Sequence, residues 1–86
     1  MIQTATVSEH ILKAAKRFHE NWYFDQTVWV VHPNLYYEYP PRARKTQIPA
    51  EWCAVNLIDE TYISVDMNYY FTDYVAAIAF YLRWVK

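Results

Sequence analysis

The chain has 86 residues, of which 55% are hydrophobic and 20% aromatic, a content that excludes intrinsic disorder. Its mean hydropathy is nevertheless −0.20, largely because its nine tyrosines count as polar. A net charge of −1 excludes a strongly basic nucleic-acid clamp and gives no electrostatic reason to seek a membrane.

The length sets the expectation of one compact domain, residues 1–86, burying roughly 60 to 65% of its unfolded surface. The single cysteine, Cys53, rules out an intrachain disulfide framework and favours a reducing compartment. The absence of glycine removes the usual phosphate-cradling loops, dinucleotide fingerprints and nucleophile elbows. Each of these needs a backbone that approaches its ligand closely or takes positive φ.

Thr6-Val7-Ser8-Glu9 fits a capping box with Thr6 as the cap. Val7, Ile11, Ala14, Ala15, Phe18 and Trp22 then recur at spacings of three and four, which predicts an amphipathic helix ending near Asn21 to Asp25. From Thr27 to Tyr39 the chain turns β-branched and aromatic, and His32-Pro33-Asn34 interrupts it as a turn does, so a hairpin is expected. Residues 40–50, with three prolines and three cations, read as a loop.

Alternation predicts a second hairpin, with Cys53, Val55 and Leu57 on one face of its first strand and Ile63, Val65 and Met67 on one face of the next. Asp59-Glu60-Thr61 then forms the loop, and a helix over 49–57 is the competing reading of the first strand. Thr72 is placed to cap a final helix running to Lys86, with Asp73 in its first turn. The order α-β-β-β-β-α implies an α+β fold: a small antiparallel sheet of three to four strands, with the N-terminal and C-terminal helices packed on one face.

The sequence offers little chemistry. His10 and His19 lie nine positions apart, on opposite sides of a helix, and no Cys/His spacing matches a zinc site, so neither metal nor cofactor is expected. Cys53 shares its face with apolar neighbours and reads as a buried structural thiol. Asp59, Glu60 and Asp66 fall in turns or on the wet side of the sheet, which does not support general acid/base catalysis. The chain is therefore expected not to be an enzyme.

The final helix is apolar on nearly every side, which a small domain cannot readily cover. Val75, Ile78, Ala79, Leu82 and Val85 form one stripe, assigned to the sheet. Tyr74, Ala77, Tyr81 and Trp84 form a second, which either helix 1 covers through Phe18 and Trp22 or a partner meets. Tyr74, Tyr81, Arg83 and Trp84 have the composition of an interface hot spot and are the candidate partner-binding residues. A second contact site is Arg42, Arg44 and Lys45 with Tyr36, Tyr37 and Tyr39, where cations stand beside stacking groups.

The expected function is a non-enzymatic protein–protein interaction module, a small inhibitor or regulator whose partner is another protein or complex or a second copy of itself. Small inhibitors encoded by phages and other mobile elements, including blockers of bacterial defence complexes, commonly share this size and lack of motifs. The alternative is a small nucleic-acid-binding protein using the 42–45 loop, whose affinity would fall steeply with salt. The chain begins with no basic and apolar leader, and its last helix, at about 13 residues, is short of the roughly 20 that span a bilayer. A soluble cytoplasmic protein is expected, in the host cytosol if virus-encoded.

Overall fold

The structure is a computed structural model, and it describes residues 2–33, 49–65 and 67–85. The elements in chain order are β1 (Gln3–Thr6), α1 (Glu9–Ala15), β2 (Thr27–Val31), α2 (Pro49–Asn56), a 3-10 turn (Asp59–Thr61), β3 (Tyr62–Val65), β4 (Asn68–Phe71) and α3 (Tyr74–Trp84). The described strands form one four-stranded antiparallel sheet in the order β1-β2-β4-β3. The fold is thus α+β.

The register fixes which helix meets which face. Ala5 pairs with Val28, and Val30 with Tyr70, which pairs in turn with Ile63, so these side chains share one face. That face carries the core cluster of Val7, Ile11, Ala15, Trp22, Val28 and Ile63, and α1 lies on it. Trp29, Val31, Tyr69, Phe71 and Tyr62 point the other way and pack with Cys53 of α2 and with Ala76, Ala77, Phe80 and Trp84 of α3. The two terminal helices therefore lie on opposite faces, not on one. The reason is visible in β2, whose run TVWVV is apolar at alternate and intervening positions alike, as a strand covered on both sides must be.

Helix α1 is shorter than its periodicity predicts. Thr6 pairs with Thr27, so the chain has to leave β1 and return to the same place within twenty residues. A helix reaching residue 25 would end about 25 Å away, with only two residues left to come back. The seven-residue helix stops at Ala15, and Lys16–Phe18 turn the chain round, with the amides of Phe18 and His19 both bonding to the carbonyl of Ala15. Its cap is Ser8, whose hydroxyl accepts from the Ile11 amide at 3.3 Å. Thr6 belongs to β1, a strand that the pattern of Gln3–Thr6 does not announce.

The returning segment is clipped to the far edge of the sheet by two side chains. His19 Nε2 donates to the Tyr62 carbonyl and Trp22 Nε1 to the Glu60 carbonyl, each at 3.0 Å. Because a carbonyl only accepts, the His19 proton sits on Nε2. The imidazole stacks on Trp22 with ring centroids 5.9 Å apart.

Within the segment 49–57, Pro49–Asn56 is a helix rather than a strand. Pro49 stands at its first position, where the missing N–H costs nothing, and Ala50, Glu51 and Ala54 favour the helical state. Strand alternation would have put Cys53 and Val55 on one side, whereas Cys53 is buried and Val55 exposed. The second hairpin accordingly joins β3 to β4, with Val65 opposite Asn68 and only residues 66 and 67 between them. Met67 takes φ 71° there, the left-handed region that glycine usually fills. Of the first predicted hairpin, Thr27–Val31 is a strand, but its two edges are taken by β1 and β4, and residues 34–39 lie outside those described.

Candidate interaction surface

Helix α3 follows β4 after a two-residue turn and runs back across the sheet, its first turn capped by Asp73, whose carboxylate accepts from the Val75 amide at 3.0 Å. Asp73 and not Thr72 is the cap. Thr72 instead donates its hydroxyl to the Thr61 carbonyl.

The two apolar stripes of α3 are used the opposite way round from the sequence expectation. Ala76, Ala77, Phe80 and Trp84 are buried, and at 100° per residue they occupy an arc of about 100°. Phe80 is the hub, with ring centroids 4.6 Å from Tyr69, 5.2 Å from Phe71 and 6.1 Å from Trp52. Two alanines beside it let the helix approach a sheet face built of large aromatic side chains. Burying Phe80 and Trp84 removes more apolar area than burying Val75 and Leu82 could, which decides the orientation.

Trp84 is 0% exposed, so it is core and is not available to a partner. Helix α1 does not cover it, being on the other face of the sheet, and Phe18 is itself exposed. The Arg83 guanidinium lies 4.1 Å from the centroid of the Trp84 ring. Tyr81 is half-buried and packs against the same cluster. Tyr74 is exposed on the flank of the helix and rests against Trp29, with centroids 5.3 Å apart.

The stripe that faces outward is Val75, Ile78, Ala79 and Leu82, with Val75 71% and Leu82 76% exposed. Ile58, 74% exposed in the turn after α2, lies beside Val75 and Ala79, and Val55 on α2 is 69% exposed. A hollow of about 300 Å³ brings the two elements together, lined by Leu57, Ile58, Asp73, Val75, Ala76 and Ala79 among others. No charged side chain stands among Val55, Ile58, Val75, Ile78, Ala79 and Leu82. Sequence reasoning found this stripe and turned it inward. Counting Phe80 and Ala76 with the opposite stripe would have corrected it.

A second hollow, about 330 Å³, runs beside edge strand β3 and is lined by Arg17, Phe18, His19, Asp59, Tyr62 and Ser64 among others. It brings a cation, a carboxylate and a hydroxyl together but presents no ready base. The His19 Nε2 is engaged by Tyr62, and its Nδ1 is buried with no hydrogen-bond partner. His32 is exposed at the other end of the sheet, 3.2 Å from the Asn68 side-chain oxygen.

Cys53 is fully buried, as expected, and burial pushes its thiol up to about 12. At neutral pH it is a thiol and not a nucleophile. Burial also raises Tyr62, with Cys53, Asp59 and Glu51 adding to the effect in that order. Among the described residues no group of three or more His, Cys, Asp or Glu is arranged to hold a metal, and no helix is long and apolar enough to cross a membrane. The second predicted contact site, Tyr36, Tyr37, Tyr39, Arg42, Arg44 and Lys45, lies outside the described residues. Comparison with protein-family models, with curated proteins and with solved structures finds no significant match to the chain.

Proposed function

We propose that this chain is a non-enzymatic protein–protein interaction module, a small inhibitor or regulator that acts by docking the outer face of α3 onto a protein surface. The observation that carries the reading is the pair of exposed residues Val75 and Leu82, with half-buried Ile78 and Ala79 between them, together with exposed Val55 and Ile58 on α2 and the turn after it. A helix that only covers a sheet keeps a polar outer face, and α1 in this same molecule does so. An apolar surface of this kind rimmed by polar groups is what macromolecular interfaces are made of. The interface reading made for Tyr74, Tyr81, Arg83 and Trp84 thus moves to the neighbouring stripe, keeping Tyr74 and Arg83 at its margins.

The test is chemical cross-linking of a tagged copy in cells, comparing the wild type with Val75→Gln/Leu82→Gln. The wild type should form adducts of defined mass, with another protein or with its own copy, and the variant should lose them. Adducts that form equally well in both would overturn the proposal, as would a wild type that forms none.

A further inference from the structure

The outer face of α3 is apolar along its middle and carries an acidic residue at one end and a basic residue at the other. Its apolar side chains recur as 75, 78/79 and 82, a spacing of three and four that keeps them in one row along the helix. The row is symmetric about the point between Ile78 and Ala79. Asp73 is exposed at one end of the helix, with Asp59 following Ile58 near the same end, and Arg83 is exposed at the other. The centre carries no charge.

We infer that this face docks a second copy of the same chain, with the two α3 helices antiparallel about a two-fold axis between Ile78 and Ala79; the inference rests on the interaction-module reading above. That operator sets Val75 of one copy against Leu82 of the second and Ile78 against Ala79. It also brings the acidic end of each helix to the basic end of the other, at both ends at once, as an isologous contact requires. A parallel pairing would instead bring Asp73 to Asp73 and Arg83 to Arg83. The fully buried centre of a homodimer interface is characteristically apolar, as this face is.

The size of the face sets the strength. Helix α3 has eleven residues and is about 16 Å long, and even with Val55 and Ile58 at its side the paired surface belongs to the class below about 1,200 Å². The dimer is therefore weak and reversible, populated as concentration rises.

Sedimentation velocity of the purified chain over a wide concentration range tests this. The weight-average mass should rise from one chain to two, and Val75→Gln/Leu82→Gln should raise the midpoint concentration at least tenfold. Orientation is read with a short bis-maleimide on single-cysteine additions. Val75→Cys mixed with Leu82→Cys should cross-link, while each variant alone should not, and the buried Cys53 should stay silent.

A wild type that remains one chain at every concentration overturns the inference. If cross-linking in cells still shows a stripe-dependent adduct, the occupant is a foreign protein and the interaction-module reading stands. If it shows none, and Val75→Gln/Leu82→Gln destabilises the monomer, the stripe is covered by the chain's own residues and both readings fall. Self-linking of Val75→Cys would keep the dimer but overturn its antiparallel arrangement.

Discussion

Helices α1 and α3 pack on opposite faces of the same sheet, yet they treat solvent differently. Outside its buried Ile11 and Ala15, α1 shows Glu9, His10 and Lys13 to water, with Lys16 and Arg17 exposed in the turn that follows. Outside its buried Ala76, Ala77, Phe80 and Trp84, α3 shows Val75 and Leu82. Covering a sheet face requires only one apolar stripe per helix. The second stripe of α3 is therefore surplus to covering the sheet, and this contrast with α1 is what the proposed interaction surface rests on.

The sharpest way to test that contrast is to damage the inner faces first. Trp84→Ala and Trp22→Ala each remove a fully buried ring, one from each core cluster, and should each cost about 3–5 kcal/mol in chemical denaturation. Trp22→Ala additionally leaves the Glu60 carbonyl without its donor. A Trp84→Ala chain with unchanged stability would mean that the outer and inner stripes of α3 have been assigned the wrong way round.

The next effect is alkaline. Cys53 sits in the α3-side cluster, where burial raises its pKa in the folded state from the ordinary 9.0 to about 12. The folded state keeps the proton that the unfolded state gives up, so stability is intact below pH 9 and falls by about 1.4 kcal/mol per unit as pH rises toward 12. The raised Tyr62 adds to the same fall. Cys53→Ala should flatten this slope in pH-dependent melts, and native Cys53 should react with a thiol reagent no faster than the chain unfolds.

Smaller effects come from the caps and the tight turn. Ser8→Ala and Asp73→Ala should each weaken their helix by about 0.5–2 kcal/mol, while Thr6→Ala, at an exposed strand end, should cost less. Met67→Gly should stabilise the β3–β4 hairpin by about 1 kcal/mol, because the left-handed conformation burdens a side chain with a Cβ. A loss of stability on that change would show that the methionine side chain makes contacts outweighing its backbone cost.

What could be read from the sequence was what local pattern controls. The strand at Thr27–Val31, the final helix and the α+β class follow from residues near one another, whereas the cap of that helix is Asp73 and not Thr72, and Cys53 is buried from a helix and not through the strand alternation with Val55 that predicted it. What escaped depends on pairing across distance. The length of α1 is limited by Thr6 returning to Thr27, and no pattern within residues 9–25 records that constraint. The β3–β4 turn was hidden because a chain without glycine has to place Met67 where turn chemistry expects glycine. The candidate surface was half-legible: the excess of apolar residues on α3 was plain, but its direction was set by Phe80 meeting Tyr69 and Phe71, partners in a strand whose position in the sheet the sequence did not reveal.

The central claim is that the Val75–Leu82 stripe is surface, in contrast to the stripe behind it. The direct measurement is the urea midpoint of Val75→Gln/Leu82→Gln beside the wild type, at a concentration low enough to keep both monomeric. The two should agree within about 0.5 kcal/mol, as exposed positions do. A loss of several kcal/mol, comparable with that of Trp84→Ala, would place the stripe in the core and contradict it.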